Sequence, residues 1–367
     1  MSEAVLNILN RHMALDRENL YRHMVLLTVF LLQAASIWTV MWWQGLAAHF
    51  TISLYVEIIY ISLAAIVFIK TTTYLLRYLS YDRSEKGAGR IISDFRAGWL
   101  NADYLLAFAV PFLFLPGYIS IFSSLKSVIP ALQPFYLDEV FMKLDRLLHF
   151  GVDPWKITHA LFGTALMSGV INFFYNLWFF LMFSYVLWQV VNVSFGAKRA
   201  QFLLAFLLCW FVLGSVLAVM LSSAGPCYYG VFVDGPDVFA PLMARLQDFY
   251  DQRQATGGLF QLYALDIQKD LLAYYQDNAT GAGSGISAMP SMHVSVAMLL
   301  YLSGREVSRY VGYFFFAFLI IIQIGSVHLG WHYAVDGYVS MLGTWGLWRV
   351  SGWLVQCRGR GTGHVAS

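Results

Sequence analysis

The sequence predicts an all-α polytopic membrane protein with about eight transmembrane helices, six of them forming a core bundle. Three observations carry this. Of 367 residues, 59% are hydrophobic and only 12% charged, where a soluble domain carries about a quarter charged residues; the mean hydropathy is +0.61. Aromatic residues reach 17%, with 12 Trp and 22 Tyr, as anchoring at two membrane interfaces requires. Apolar runs near the length of about 20 residues that a span needs recur at 24–43, 51–69, 104–125, 169–193, 200–221, 291–304, 310–328 and 332–354. Helices satisfy their own backbone polar groups, which a spanning chain must do. A net charge of +2 gives nucleic acid no electrostatic footing as a partner.

In chain order, the polar stretch RHMALDRENLYRH (11–23) reads as a solvated or interfacial face. The apolar run behind it has no small-residue cleavage site and reads as a retained span, not a signal peptide. Residues 1–103 form this segment and two additional helices, 104–354 the six-helix core, and 355–367 a cytoplasmic tail. Glu57, in the second span, is expected to pair inside the bundle. Two long connectors interrupt the core. The first, 126–168, contains PFYLDEVFMKLDRLLHFGVDPW, an amphipathic pattern suited to the interface. The second, 222–290, holds amphipathic helices around 237–253 and 260–276, then a flexible NATGAGSG.

With the N-terminus cytoplasmic, sixteen of the 23 Lys and Arg fall in inner segments and seven in outer ones. By the positive-inside rule both termini are then cytoplasmic, and both connectors face outward. Short loops and the lack of a cleavable signal point to a bacterial inner membrane. Cys209, Cys227 and Cys357 are too scattered for a disulfide framework or a zinc knuckle.

The chemistry-bearing residues cluster late in the chain. A single helix over 310–354 would run about 67 Å, roughly twice a bilayer core, so the chain must turn near Gly325 or Gly330. A turn at Gly330 puts His332 and Asp336 one helical turn apart, orienting an imidazole with a carboxylate as a nucleophile or base requires. His328 remains on the preceding turn. In SAMPSMHVSVAMLL, Pro290 suits a first helical turn, with Ser291 and His293 in or beside it, and the free amides there form an anion site. By the charge count both motifs lie at the same outer depth. His293, His328, His332 and Asp336 also make a workable metal-ligand count, the basis of a non-enzymatic carrier or metal-binding reading. In SSAGPCYYG, Tyr228 and Tyr229 are candidates for a head-group pocket, as are Asn172, Tyr175 and Asn176 near the outer end of the fourth span.

PSMH followed some forty residues later by HYAVD resembles the type 2 phosphatidic acid phosphatase superfamily, and within it the branch of the fungal inositol phosphorylceramide synthase. The family's first element, KxxxxxxRP, is matched by KSVIPALQP through Lys126 and Pro134, with Gln133 in place of arginine. In the second, PSGH, Ser291 and His293 match and Met292 replaces glycine. In the third, SRxxxxxHxxxD, His332 and Asp336 match, while Gly325 and Ser326 stand for Ser-Arg. The resemblance covers about 126–350. It implies that His332 attacks phosphorus and carries a phosphohistidine, that Asp336 holds its tautomer, and that His293 protonates the leaving group. Lys126, Ser291 and the helix-start amides would hold phosphate oxygens, with Arg146 or Lys143 as substitutes for the absent arginines.

A phosphodiester carries one negative charge and needs fewer cations than a monoester dianion. The expected reaction is therefore cofactor-independent transfer between a phospholipid donor and a lipid alcohol, and the resemblance to the synthase branch implies a phosphoinositol-like head group. Water as acceptor, giving a lipid phosphate phosphatase, is the alternative.

Overall fold

The structure, a computed structural model, describes residues 17–80, 102–192, 196–281 and 283–356. The stretch before Arg17, the inner-loop residues Arg83, Lys86, Arg90 and Arg96, and the tail from Cys357 lie outside them. The described residues form helices and loops, with no strand among them. In chain order the helices are α1 (Arg17–Trp43), α2 (Val56–Ser80), α3 (Ala102–Leu132), α4 (Asp138–Leu148), α5 (Pro154–Phe162), α6 (Ala165–Val191), α7 (Gly196–Leu208), α8 (Ala240–Thr256), α9 (Tyr263–Gln276), α10 (Met292–Val307), α11 (Arg309–His328) and α12 (Ala334–Gln356). α7 runs on through a π-helical stretch, Cys209–Leu217, into Ala218–Met220, and a 3-10 turn, Ala47–His49, separates α1 from α2.

Helices occur at all eight expected spans. Among the described residues, five are long and apolar enough to cross a membrane: Glu18–Trp43, Leu106–Leu132, Ala165–Val191, Gly196–Met220 and Arg309–His328. Of the other three, α10 has only 16 residues, α12 buries Asp336, Ser340, Thr344 and Ser351 along its length, and the described apolar stretch of α2 is Val56–Ile69.

Side-chain caps place the boundaries. Thr164 accepts from the Met167 amide at 3.3 Å to start α6, and Ser308 accepts from Val311 at 3.2 Å to start α11; each satisfies one of the orphan amides of a first turn. α10 sits centrally, against α6, α7, α11 and α12, with Val294, Val296, Ala297, Leu299 and Leu300 buried. Its hairpin with α11 is close because Gly304 faces Phe315; a Cβ there would sit 2.8 Å from that ring, the small-residue contact by which membrane helices approach.

Two boundaries and one side-chain placement differ from the sequence expectation. α3 extends to Leu132, so Lys126 sits on a helix and not in a connector. α2 starts at Val56 because residues 47–55 lie instead along α3. There, Ser124 Oγ accepts from the Thr51 amide at 3.0 Å and Ser120 Oγ from the Tyr55 amide at 3.2 Å, and Gly117 faces Ile52. Glu57 is exposed in the first turn of α2, not paired inside the bundle. The amphipathic helices of the connectors form as patterned. On α4 the buried set is Asp138, Phe141, Met142 and Asp145, a helical stripe in which two carboxylates point inward with the apolar residues.

Candidate active site

Between α11 and α12 the chain turns through Leu329–Tyr333, with Gly330 at φ +73°, a left-handed conformation that favours glycine. His332 stands in this turn, just before α12, and Asp336 in its first turn. His332 Nδ1 is 2.8 Å from the Ala288 carbonyl oxygen and 3.3 Å from Asp336 Oδ2. A carbonyl only accepts, so the proton resides on Nδ1 and the lone pair on Nε2. Asp336 is fully buried; its Oδ2 also accepts from the Tyr333 amide at 3.0 Å. The carboxylate thus braces the turn as well as the imidazole, and the Ala288 carbonyl is the shorter contact to the ring.

His293, in the first turn of α10, lies 6.3 Å from His332 between ring centroids. Tyr175 stacks on it at 4.4 Å and Trp178 lies tilted against it at 4.3 Å, and the Trp178 indole N–H donates to the His293 carbonyl at 2.9 Å. Among the described residues neither ring nitrogen of His293 has a protein hydrogen-bond partner, which leaves both for a ligand. Both imidazoles line a cavity of about 360 Å³ whose walls include Phe122, Met182 and Trp210. Lys126 is the one charged side chain among the described lining residues, and no carboxylate is among them.

The structure brings Lys126, His293, His332, Tyr228 and Asn176 to this cavity, with Asn172 and Tyr175. Asp336 lies behind His332. Other expected site residues are placed elsewhere. The Ser291 hydroxyl is buried and accepts from the Val294 amide at 3.4 Å, capping α10. His328 turns away, with its Nε2 2.8 Å from Ser168 Oγ and its ring stacked 4.0 Å from His159, so the four-ligand metal set is not assembled. Arg146 pairs with Asp153, Lys143 with Glu139 at 2.7 Å, and Tyr229 packs on Phe239.

Two carboxylates on α4 emerge as supports of the site. Asp145 accepts from the Ala334 and Val335 amides at 2.7 and 2.9 Å, capping α12 from outside the helix. Asp138 accepts from the Ala224 and Gly225 amides, both at 2.9 Å, and from the Tyr333 hydroxyl at 2.9 Å. Burial pushes both carboxyls up from the ordinary range, against these hydrogen bonds, which favour the charged form. Their inward spacing on an amphipathic helix was readable as a pattern; their targets were not, because these are backbone amides far along the chain.

Apolar helices thus surround two imidazoles, one of them backed by a buried carboxylate. A family model described as the PAP2 superfamily matches residues 139–349, and the chain belongs to that superfamily. It is therefore an enzyme of the phosphatase type, fitting at a coarse level a phosphatase or phosphotransferase of lipids. No curated protein and no solved structure matches the chain.

Proposed function

We propose that the protein transfers a phospho-head group between lipids through a phosphohistidine on His332. The observation that carries this is the charge content of the cavity: two imidazoles and one ammonium, with apolar walls and no carboxylate among the described lining residues. One cation suits the single charge of a phosphodiester better than a monoester dianion. The lack of a carboxylate disfavours a head group that brings its own cation. An uncharged polyol such as inositol fits both conditions, in keeping with the fungal synthase branch that the motifs resemble.

In this reading His332 Nε2 attacks phosphorus and the bond to the donor lipid's alcohol oxygen breaks. Protonated His293 gives that oxygen its proton. His293 then takes the proton of an acceptor hydroxyl, the new oxygen attacks phosphorus, and the P–N bond breaks to restore His332. Lys126 faces the phosphate oxygens, and Asp336 with the Ala288 carbonyl holds the Nδ1–H tautomer. With a ceramide-like or diacylglycerol-like acceptor the product is a new phospholipid; with water it is a head-group phosphate. The charge count of the loops supports an outward-facing site with both termini cytoplasmic.

The test is an assay of purified protein with labelled phosphatidylinositol, with and without ceramide or diacylglycerol, against His332→Ala. A new phospholipid formed by wild type, abolished by the substitution (about 10³-fold or more), is the expected result. Inositol phosphate without a new lipid would make it a hydrolase, and no product from any phospholipid donor would overturn the reading.

A further inference from the structure

The superfamily match begins at Glu139, so α1, α2 and the segment between them lie outside it. That segment nevertheless reaches the catalytic cavity. Tyr55 and Ile58 line it together with Ser123, Lys126 and Ser287. The Tyr55 hydroxyl is 3.2 Å from Ser123 Oγ and accepts from the Gly283 amide at 2.8 Å. His49 Nδ1 lies 2.9 Å from Thr280 Oγ1, which is also 3.1 Å from Ser127 Oγ. The outer turn of the N-terminal pair is thus joined on one side to α3 and on the other to the glycine-rich end of the second connector.

The placement has a polarity. Around Tyr55 Oη are the hydroxyl of Ser123 and the Gly283 backbone, and Lys126 follows Ser123 by one turn of α3, so this polar corner adjoins the cation. Ile58, near the start of α2, lines the same cavity as the apolar residues Ile119 and Phe183. A phosphodiester lipid with its phosphate at Lys126 would then present its head group toward Tyr55. A ring held by two hydrogen bonds is a fixed boundary, and a fixed boundary discriminates by size.

We propose that Tyr55 is a specificity-determining residue: the N-terminal helix pair completes the lipid site, and the Tyr55 ring limits the volume open to an uncharged, hydroxyl-bearing head group. The assignment rests on the phosphodiester reading above. Binding without turnover tests it independently of catalysis.

The experiment uses the full chain in detergent carrying His332→Ala, with fluorescent phosphatidylglycerol and phosphatidylinositol as probes. Adding Tyr55→Ala shifts the ratio of the two affinities by about five-fold or more toward the larger head group. Tyr55→Phe keeps the ring and leaves the ratio within about two-fold, while losing the Gly283 contact speeds probe release. Tyr60→Ala, at a position 68% exposed on α2, changes neither. An unshifted ratio in a Tyr55→Ala protein that still binds both probes overturns the proposal, as does binding of neither probe by the parent. If Tyr55→Ala does not fold, Tyr55→Leu supplies the same comparison. A protein that binds with this selectivity yet turns over no phosphodiester in its wild-type form refutes the transfer reaction and leaves the Tyr55 assignment standing.

Discussion

The segment that matches the superfamily and the N-terminal helices hold the same cavity by different means. In the matched segment, buried carboxylates grip backbone amides: Asp145 holds the start of α12, and Asp336 the turn that carries His332. In the N-terminal region, neutral serine hydroxyls and a close backbone approach hold residues 47–55 to α3. A hydrogen bond to a charged group contributes about 1.5–3 kcal/mol and a neutral one about 0.5–1.5. The difference teaches where the rigidity lies: the turn that carries His332 and the start of α12 are held by carboxylate-to-amide contacts, while the wall added by the N-terminal pair rests on weaker ones that sequence change can alter at lower cost.

The largest break in this comparison comes from Asp145→Ala. It leaves two buried amides without acceptors, and a loss of about 2–5 kcal/mol is expected. Thermal unfolding in detergent checks it, with a fall in turnover at temperatures where the variant is still folded. Lys126→Met comes next. Lys126 belongs to α3, outside the matched segment, and the substitution removes the one cation among the described lining residues while keeping the side chain's length and apolar stem. Turnover should fall about 10²-fold with folding intact, read as kcat/KM beside a melting curve. A change below about three-fold would mean that the matched segment holds the phosphate unaided.

The smallest effect is expected at Arg146, which belongs to neither wall. Burial pushes the Asp153 carboxyl up, but hydrogen bonds and charge from Arg146 and Lys156 outweigh it and hold the group below the ordinary carboxylate range. A depressed folded-state value means stabilisation present above the unfolded pKa, about 4, and lost as pH falls through the folded one. Arg146 is 38% exposed at its side chain, so Arg146→Ala should cost below about 1 kcal/mol at neutral pH. The loss should vanish toward pH 3, with transfer activity unchanged. Unfolding followed from pH 7 to 3 checks it.

Arg146 and Asp145 also show what was legible in the sequence. The motif residues have unusual chemistry at fixed spacings, so Lys126, His293 and His332 can be named from the chain alone, and the fold gathers all three around one cavity. Adjacent Asp145 and Arg146 look like an ion pair in the sequence. Neighbours on a helix point about 100° apart, so on α4 Asp145 turns inward to α12 while Arg146 turns outward to Asp153. Ser291 stands at the motif position, yet its hydroxyl caps the helix, because an unpaired first-turn amide competes for the same oxygen. The span pattern placed the helices well. It missed the descent of residues 47–55 along α3, since a turn pinned by Ser120 and Ser124 has no periodicity of its own.

The length of α10 has a consequence for the bilayer itself. Sixteen residues rise about 24 Å, several ångströms less than a hydrocarbon core of about 30 Å. His293 opens this helix, so on the proposed reading the reacting phosphate is expected below the plane of the surrounding head groups, where the local membrane thins or the donor lipid sinks to meet it. Acyl-chain length in the surrounding membrane is then expected to change the rate through thickness, before any individual lipid is recognised, and turnover in vesicles of graded chain length checks it.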